Sequence, residues 1–210
     1  MTHKLKGFGL VLAAAVALFA VSASTASALK YTASSYPVTG TAESPLGNDT
    51  FKTEAGTVEC KSHFEGSLGA AQSTLTVKAK YTNCRAFGFL EATVNMAGCS
   101  YEFTTPAETS VDNYAASMHV RCGAEPITIT SGTCKLTIGE QSPTGTVAGT
   151  NNTAAGDISV KAAVTGIKYS VTQDGFGCPF AGTGAKTGAT YTQDQSVTVK
   201  STNGATLDLG

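Results

Sequence analysis

Residues 74–103 read TLTVKAKYTNCRAFGFLEATVNMAGCSYEF. Within them Leu75, Val77, Ala79 and Tyr81 alternate with Thr74, Thr76, Lys78 and Lys80. A period of two puts one set on an apolar face and the other on a wet face, the pattern of a half-buried β-strand. The alternation returns at Leu90, Ala92, Val94 and Met96. It returns again at Cys99, Tyr101 and Phe103, with Ser100 and Glu102 opposite. Cys84 and Cys99 therefore close and open neighbouring strands that can share one core.

The same scheme extends in both directions. Val58 and Cys60 face one way and Glu59 and Lys61 the other, and Phe64 to Leu68 continues that sheet after a bend. Met118, Val120 and Cys122 face inward, opposite Ser117, His119 and Arg121. Short strands follow at Ile127–Ile129, Cys134–Ile138, Ile158–Val164 and Ile167–Val171, with Gly166 marking a bend or bulge. Thr104 to Asn113 reads as a polar loop, Gly139 to Gly156 as a long irregular one, and Asp174 to Gly188 as a glycine-rich loop around Cys178. Val197 and Val199 lead to Asn203-Gly204, a strong hairpin turn signal, and Leu207 and Leu209 return. No stretch carries a helical stripe of useful length. About ten short strands at this spacing predict an all-β fold, a disulfide-stapled antiparallel β-sandwich, with a closed β-barrel as the alternative.

Residues 1–28 predict a secretory signal peptide. Lys4 and Lys6 precede the apolar run Leu10 to Val21, and Ala26-Ser27-Ala28 supplies small residues for cleavage before Leu29. Residues 29–50 are rich in Ser, Thr, Ala and Pro and read as a loose N-terminal lead with one short edge strand; 51–210 form the sandwich domain. Beyond the signal, 12 basic residues face 15 acidic ones, so the net charge is −3. That balance and the lack of a basic cluster argue against a nucleic-acid partner. No further segment is long and apolar enough to predict a transmembrane span.

Six cysteines, at 60, 84, 99, 122, 134 and 178, form an even set in a chain expected to be exported, which implies disulfides. Pairing in sequence order, Cys60–Cys84, Cys99–Cys122 and Cys134–Cys178, joins strands whose cysteines the alternation places inward. The rival is a short Cys122–Cys134 link.

Catalytic and metal chemistry find little support. Cys60-Lys61-Ser62-His63 and His119-Val120-Arg121-Cys122 have mirrored ligand spacing, but residues three apart on a strand point to opposite faces. No GxSxG or calcium-loop motif occurs. Glu54, Glu59, Glu65, Glu91 and Glu102 provide raw material for a carboxylate pair, which needs only proximity in the fold. No catalytic residue, metal ligand or cofactor is predicted. Phe87 and Phe89 follow Cys84, and Phe176 and Phe180 flank Cys178, so these four aromatics form a candidate recognition loop. Asn48-Asp49-Thr50 and Asn151-Asn152-Thr153 match glycosylation sequons.

The segments FKTEAGTVECKSHFEG (51–66), YTNCRAFG (81–88), ATVNMAGCSYEF (92–103), CKLTIGEQ (134–141) and VTGIKYSVTQDGFGCPF (164–180) resemble a group of secreted, cysteine-containing β-proteins of soil actinobacteria. The resemblance covers most of residues 51–200. It implies secretion and the cysteine frame, and it brings no functional residue to carry over.

The expectation is a secreted, non-catalytic protein of the extracellular space or cell surface, acting as a binding or structural module. Its partner would be a cell-envelope component or another protein. A secreted hydrolase with a carboxylate pair formed only in the fold is one alternative. A subunit of an extracellular filament or coat, joined through an edge strand or the N-terminal lead, is another.

Overall fold

The computed structural model describes residues 29–104, 106–175, 178 and 182–210. The expected signal segment 1–28, and Phe176 and Phe180 of the candidate recognition loop, lie outside the described residues. The described residues form sixteen strands and no helix. In chain order these begin with β1 (Tyr31–Ala33), β2 (Val38–Lys52), β3 (Thr57–Leu68), β4 (Leu75–Ala86), β5 (Leu90–Asn95) and β6 (Ser100–Phe103). Next come β7 (Ala107–Ser110), β8 (Asn113–Ala116), β9 (Met118–Arg121), β10 (Ile127–Ser131) and β11 (Cys134–Ile138). The series ends with β12 (Thr144–Asn152), β13 (Asp157–Asp174), β14 (Gly184–Gln193), β15 (Val197–Ser201) and β16 (Leu207–Leu209).

The ladder runs β11-β10-β5-β4-β3-β2-β14-β13, and β13 pairs back onto β11. Eight strands thus return on themselves, and each of these pairings is antiparallel. The all-β, antiparallel, disulfide-stapled fold expected from the sequence is what the chain adopts. Of the two expected arrangements, the hydrogen bonding closes the sheet into the barrel, which removes the edges an open sheet would expose.

Several strands outrun this barrel and build a second compartment at one end of it. The first part of β2 pairs with β3 and β15, and β4 passes its other edge from β5 to β6 and then, through β6, to β9. The first part of β13 pairs with β12 and β15, and β12 continues to β8 and β7. Two apolar clusters result. The larger fills the barrel around Leu136, Val164, Ile129 and Val171; the smaller gathers Tyr31, Val38, Leu68, Ile158 and Leu207. Val160 and Phe103 pack against both.

Two bulges let one strand serve both compartments. On β4 the inward set shifts from Leu75, Val77, Ala79 and Tyr81 to Cys84 and Ala86, across a break in register with β3. Asn83 sits there at φ 52, a left-handed conformation that Asn tolerates better than most residues. On β2 the register jumps between Ser44 and Asp49, and Gly47 at φ 88 takes the positive dihedral the excursion needs. Asn48 clamps this excursion. Its side-chain amide donates to Ser44 Oγ at 2.8 Å and to the Gln195 carbonyl at 3.2 Å, and its Oδ1 accepts from the Gln195 N–H at 2.6 Å.

All three disulfides pair as expected, Cys60–Cys84, Cys99–Cys122 and Cys134–Cys178, and no described cysteine is free. The rival Cys122–Cys134 link is absent.

Three local expectations are corrected. Residues 29–50 are not a loose lead: they supply β1 and most of β2, a strand paired with β3, β14 and β15 in the wall of the fold. Residue 51 therefore marks no boundary. The two segments read as irregular, 104–113 and 139–156, contain β7 and β12, whose small and polar residues carry backbone pairing without an apolar stripe. The Asn203-Gly204 turn does not return Leu207 and Leu209 onto β15. It redirects the chain so that β16 pairs with β1, forming a separate two-stranded ribbon. The ribbon lies over the smaller compartment: Leu207 N–H donates to the Gly156 carbonyl, Tyr31 N–H to the Gln72 carbonyl, and the Tyr31 hydroxyl to the Thr104 carbonyl at 2.8 Å.

Candidate functional site

Where the two clusters meet, the inward side chains do not fill the space between the walls. A cavity of about 200 Å³ remains. Leu75, Phe103, Val160 and Val199 approach it from the smaller cluster, and Met118 and Ile138 from the larger. The ribbon contributes Tyr31, Leu207 and Leu209. Exposed Glu65 and Asp208 mark its rim. Small residues keep it open: Gly40, Ala42, Gly66 and Gly149 sit in its lining where larger side chains would intrude. At Gly149 the fit is tight, since a Cβ there would come within 2.5 Å of Leu209 Cδ1. No lysine, arginine or histidine is among the lining residues.

The exception to this apolar lining is a polar waist where the compartments join. Tyr101, Tyr191 and Gln193 line the cavity there. The hydroxyls of Tyr81 and Tyr101 lie 2.8 Å apart and hydrogen-bond each other. Gln193 Oε1 accepts the Ala162 N–H at 2.8 Å. Asp49 is turned to the same interior but stands behind the lining, next to Tyr191 and Gln193: it lies opposite Cys60 on β3 and Gln193 on β14, two residues from Phe51, and is 2% exposed. Neither of its carboxyl oxygens meets a protein donor, and Ser62 Oγ and the Tyr191 hydroxyl are also buried and unpartnered. The Tyr191 phenol is turned toward Asp49, but no bond of good geometry forms.

The waist holds its phenols protonated. Burial first, then the neighbouring phenols Tyr101 and Tyr191, pushes Tyr81 well above its ordinary value, and burial does the same at Tyr191, followed by the Asp49 carboxyl. Tyr101 is pushed up to about 12, again chiefly by burial. Three neutral hydroxyls and one carboxyl therefore share a site from which bulk water is largely shut out.

The other candidates disperse over the surface. Phe87 packs half-buried against the larger cluster, while Phe89 is 77% exposed. His63 Nδ1 lies 2.6 Å from Glu43 Oε1 on the exposed side of β2 and β3. His119 stands beside Ser142, whose Oγ is 2.8 Å from Nδ1 and 3.0 Å from Nε2. An oxygen nearly equidistant from both nitrogens lies along neither nitrogen's in-plane lone pair, so the imidazole is not placed to take its proton. Glu102 and Glu140 share Arg121, at 2.9 and 3.5 Å. The Arg121 hydrogen bond holds Glu102 below its ordinary value, the opposite of what a general acid requires. No group of three or more His, Cys, Asp or Glu that could hold a metal occurs among the described residues. Of the two sequons, Asn48 is unsuited to modification, because its side chain is buried and its amide is bonded.

The site was missed in the sequence for a definite reason. Asp49 falls within residues 29–50, expected as a loose lead, and the β2 bulge turns it inward. The alternation did place Tyr81 and Tyr101 on inward faces, which is the one signal that pointed to the waist. No protein-family model, curated protein or solved structure matches the chain.

Proposed function

We propose that this chain is a secreted, non-catalytic binding module that holds a small apolar molecule in the cavity between its two compartments. The cavity carries this reading. Tightly packed cores leave few voids larger than a water molecule, so a lining kept open by glycines and alanines is a feature with a use. An apolar cavity of about 150 Å³ stays dry and takes up benzene. At about 200 Å³ this one suits a single aromatic ring or a short branched hydrocarbon, below the size of drug-like ligands. Three disulfides suit an oxidising compartment, and no helix among the described residues is long and apolar enough to cross a membrane. The detached N-terminal strand that would favour a filament subunit is instead built into the wall as β2.

Binding of benzene and naphthalene to the oxidised protein tests the reading, followed by methyl resonances in nuclear magnetic resonance. The expected result is saturable uptake of at least one of them, with shifts confined to methyls that line the cavity, such as Met118, Val120 and Val160, and loss of uptake in Val160→Phe. If that variant does not fold, the wild-type methyl map decides. Shifts scattered over the surface, or none, would overturn the proposal.

A further inference from the structure

We propose that the molecule the cavity takes is a small hydrophobic amine, and that Asp49 receives its ammonium group. This inference rests on the cavity being a binding site and names the chemistry of its occupant.

The argument begins with unmet hydrogen-bonding demand. Buried polar side-chain atoms are nearly always paired, and each that is not carries a cost of about 1–3 kcal/mol, more for a charged group. Here four such atoms gather in one place: both carboxyl oxygens of Asp49, Ser62 Oγ and the Tyr191 hydroxyl. The strand registers bring them together. Ser62 lies on β3 opposite Ser44 and Tyr81, and Asp49 lies on β2 opposite Cys60, two residues along β3 from Ser62. Tyr191 pairs with Phe51, two residues from Asp49 on β2. Ser62 is 1% exposed and Asp49 2%. The backbone has been bent to put Asp49 there, because without the bulge at 45–48 the register with β3 would differ.

Donor accounting then selects the ligand. A carboxylate only accepts, and it offers two oxygens. A ligand hydroxyl supplies a single hydrogen. A primary ammonium supplies three, enough for both Asp49 oxygens and one more acceptor, Ser62 Oγ or the Tyr191 oxygen. It also brings the positive charge that the site lacks, since no cationic side chain is among the residues lining the cavity. Tyr101, Tyr191 and Phe64 line the same space, and aromatic rings attract cations. The remainder of the molecule must be small and largely apolar, because beyond the waist the cavity of about 200 Å³ is lined chiefly by Val, Leu, Ile, Met, Phe, Ala and Gly, with Glu65 and Asp208 at its rim. An arylalkyl or short alkyl primary amine meets each requirement. Folding has already stripped water from the carboxyl, so a charge-assisted bond there is stronger than the same bond at the surface.

The test compares 2-phenylethylamine with propylbenzene, which has the same shape with a methyl in place of the amino group. Binding of each to the oxidised wild-type protein and to Asp49→Asn is measured at neutral pH. The wild type is expected to favour the amine by about tenfold or more, and Asp49→Asn to lose that preference while keeping its affinity for propylbenzene. In the wild type the carboxyl carbon resonance of Asp49 should shift with the amine and not with propylbenzene, a readout that holds even if the variant does not fold. Equal binding of the two compounds with an unmoved Asp49 resonance would overturn the amine inference, as expected of a carboxyl satisfied by buried water, while leaving the cavity reading intact. A preference retained in Asp49→Asn would overturn it as well. Binding of neither compound would overturn the cavity reading and this inference with it.

Discussion

Replacing each disulfide by a pair of alanines asks whether the bridges act through the unfolded chain or through packing. The three bridges span sequence separations of 24, 23 and 44 residues. Loop-closure entropy assigns about 3.5 kcal/mol to each of the first two and about 4 kcal/mol to the third. Packing predicts a different order. Cys60, Cys84, Cys99 and Cys134 are at most 4% exposed, whereas Cys178 is half-buried in a loop. Cys122 is half-buried as well, so if lost sulfur contacts dominated, Cys60–Cys84 would be the largest loss and Cys134–Cys178 would rank with Cys99–Cys122 below it. The assay is urea denaturation of Cys60→Ala/Cys84→Ala, Cys99→Ala/Cys122→Ala and Cys134→Ala/Cys178→Ala, followed by tyrosine fluorescence in a chain that has no tryptophan. The expected losses lie within about 1 kcal/mol of one another, with Cys134–Cys178 the largest. Together they amount to about 11 kcal/mol against the roughly 5–15 kcal/mol by which whole domains are stable, so the fully reduced protein is expected not to hold its fold. A spread above about 2 kcal/mol with Cys134–Cys178 the smallest would refute the entropic account. A cooperative transition surviving the loss of all three would refute the claim that the bridges are needed.

Leu136→Ala should cost about 3–5 kcal/mol in the same denaturation assay: the side chain is fully buried, and β11 is hydrogen-bonded on both sides and cannot slide to close the gap. A loss below about 1.5 kcal/mol would mean that the barrel is not closed at β11. Alkaline pH should unfold the protein. Tyr31, Tyr81, Tyr101 and Tyr191 hold their protons more tightly folded than unfolded, so their contribution is complete below the ordinary phenol value of about 10 and is lost as pH rises through their folded values. Urea midpoints should therefore fall above about pH 10, and tyrosinate absorbance from these residues should appear only as the fold is lost.

The fold was legible wherever inward positions carry large apolar residues. Leu75, Val77 and Tyr81, or Met118 and Val120, announce their strands, and cysteines at the ends of such runs announced their partners. Legibility failed where inward positions must be small or polar. The inward side of β2 is Val38, Gly40, Ala42 and Ser44, then Asp49: the first three line the cavity, Ser44 bonds the Asn48 side chain, and Asp49 joins the polar waist. A strand that lines a void cannot carry the alternation that packing would demand, so it reads as a loose segment. The same holds for Gly149 in β12, held small beneath Leu209. The Asn203-Gly204 signal was misleading for another reason, because it describes a local turn, while the partner of β16 was chosen by β1 at the far end of the chain.

The ribbon of β1 and β16 also ties the two ends of the described chain to each other across the smaller compartment. Tyr31 from one end and Leu207 and Leu209 from the other line the same cavity. A guest held there would touch both ends at once, so its binding would resist fraying of either, and protection of the ribbon amides would rise with occupancy.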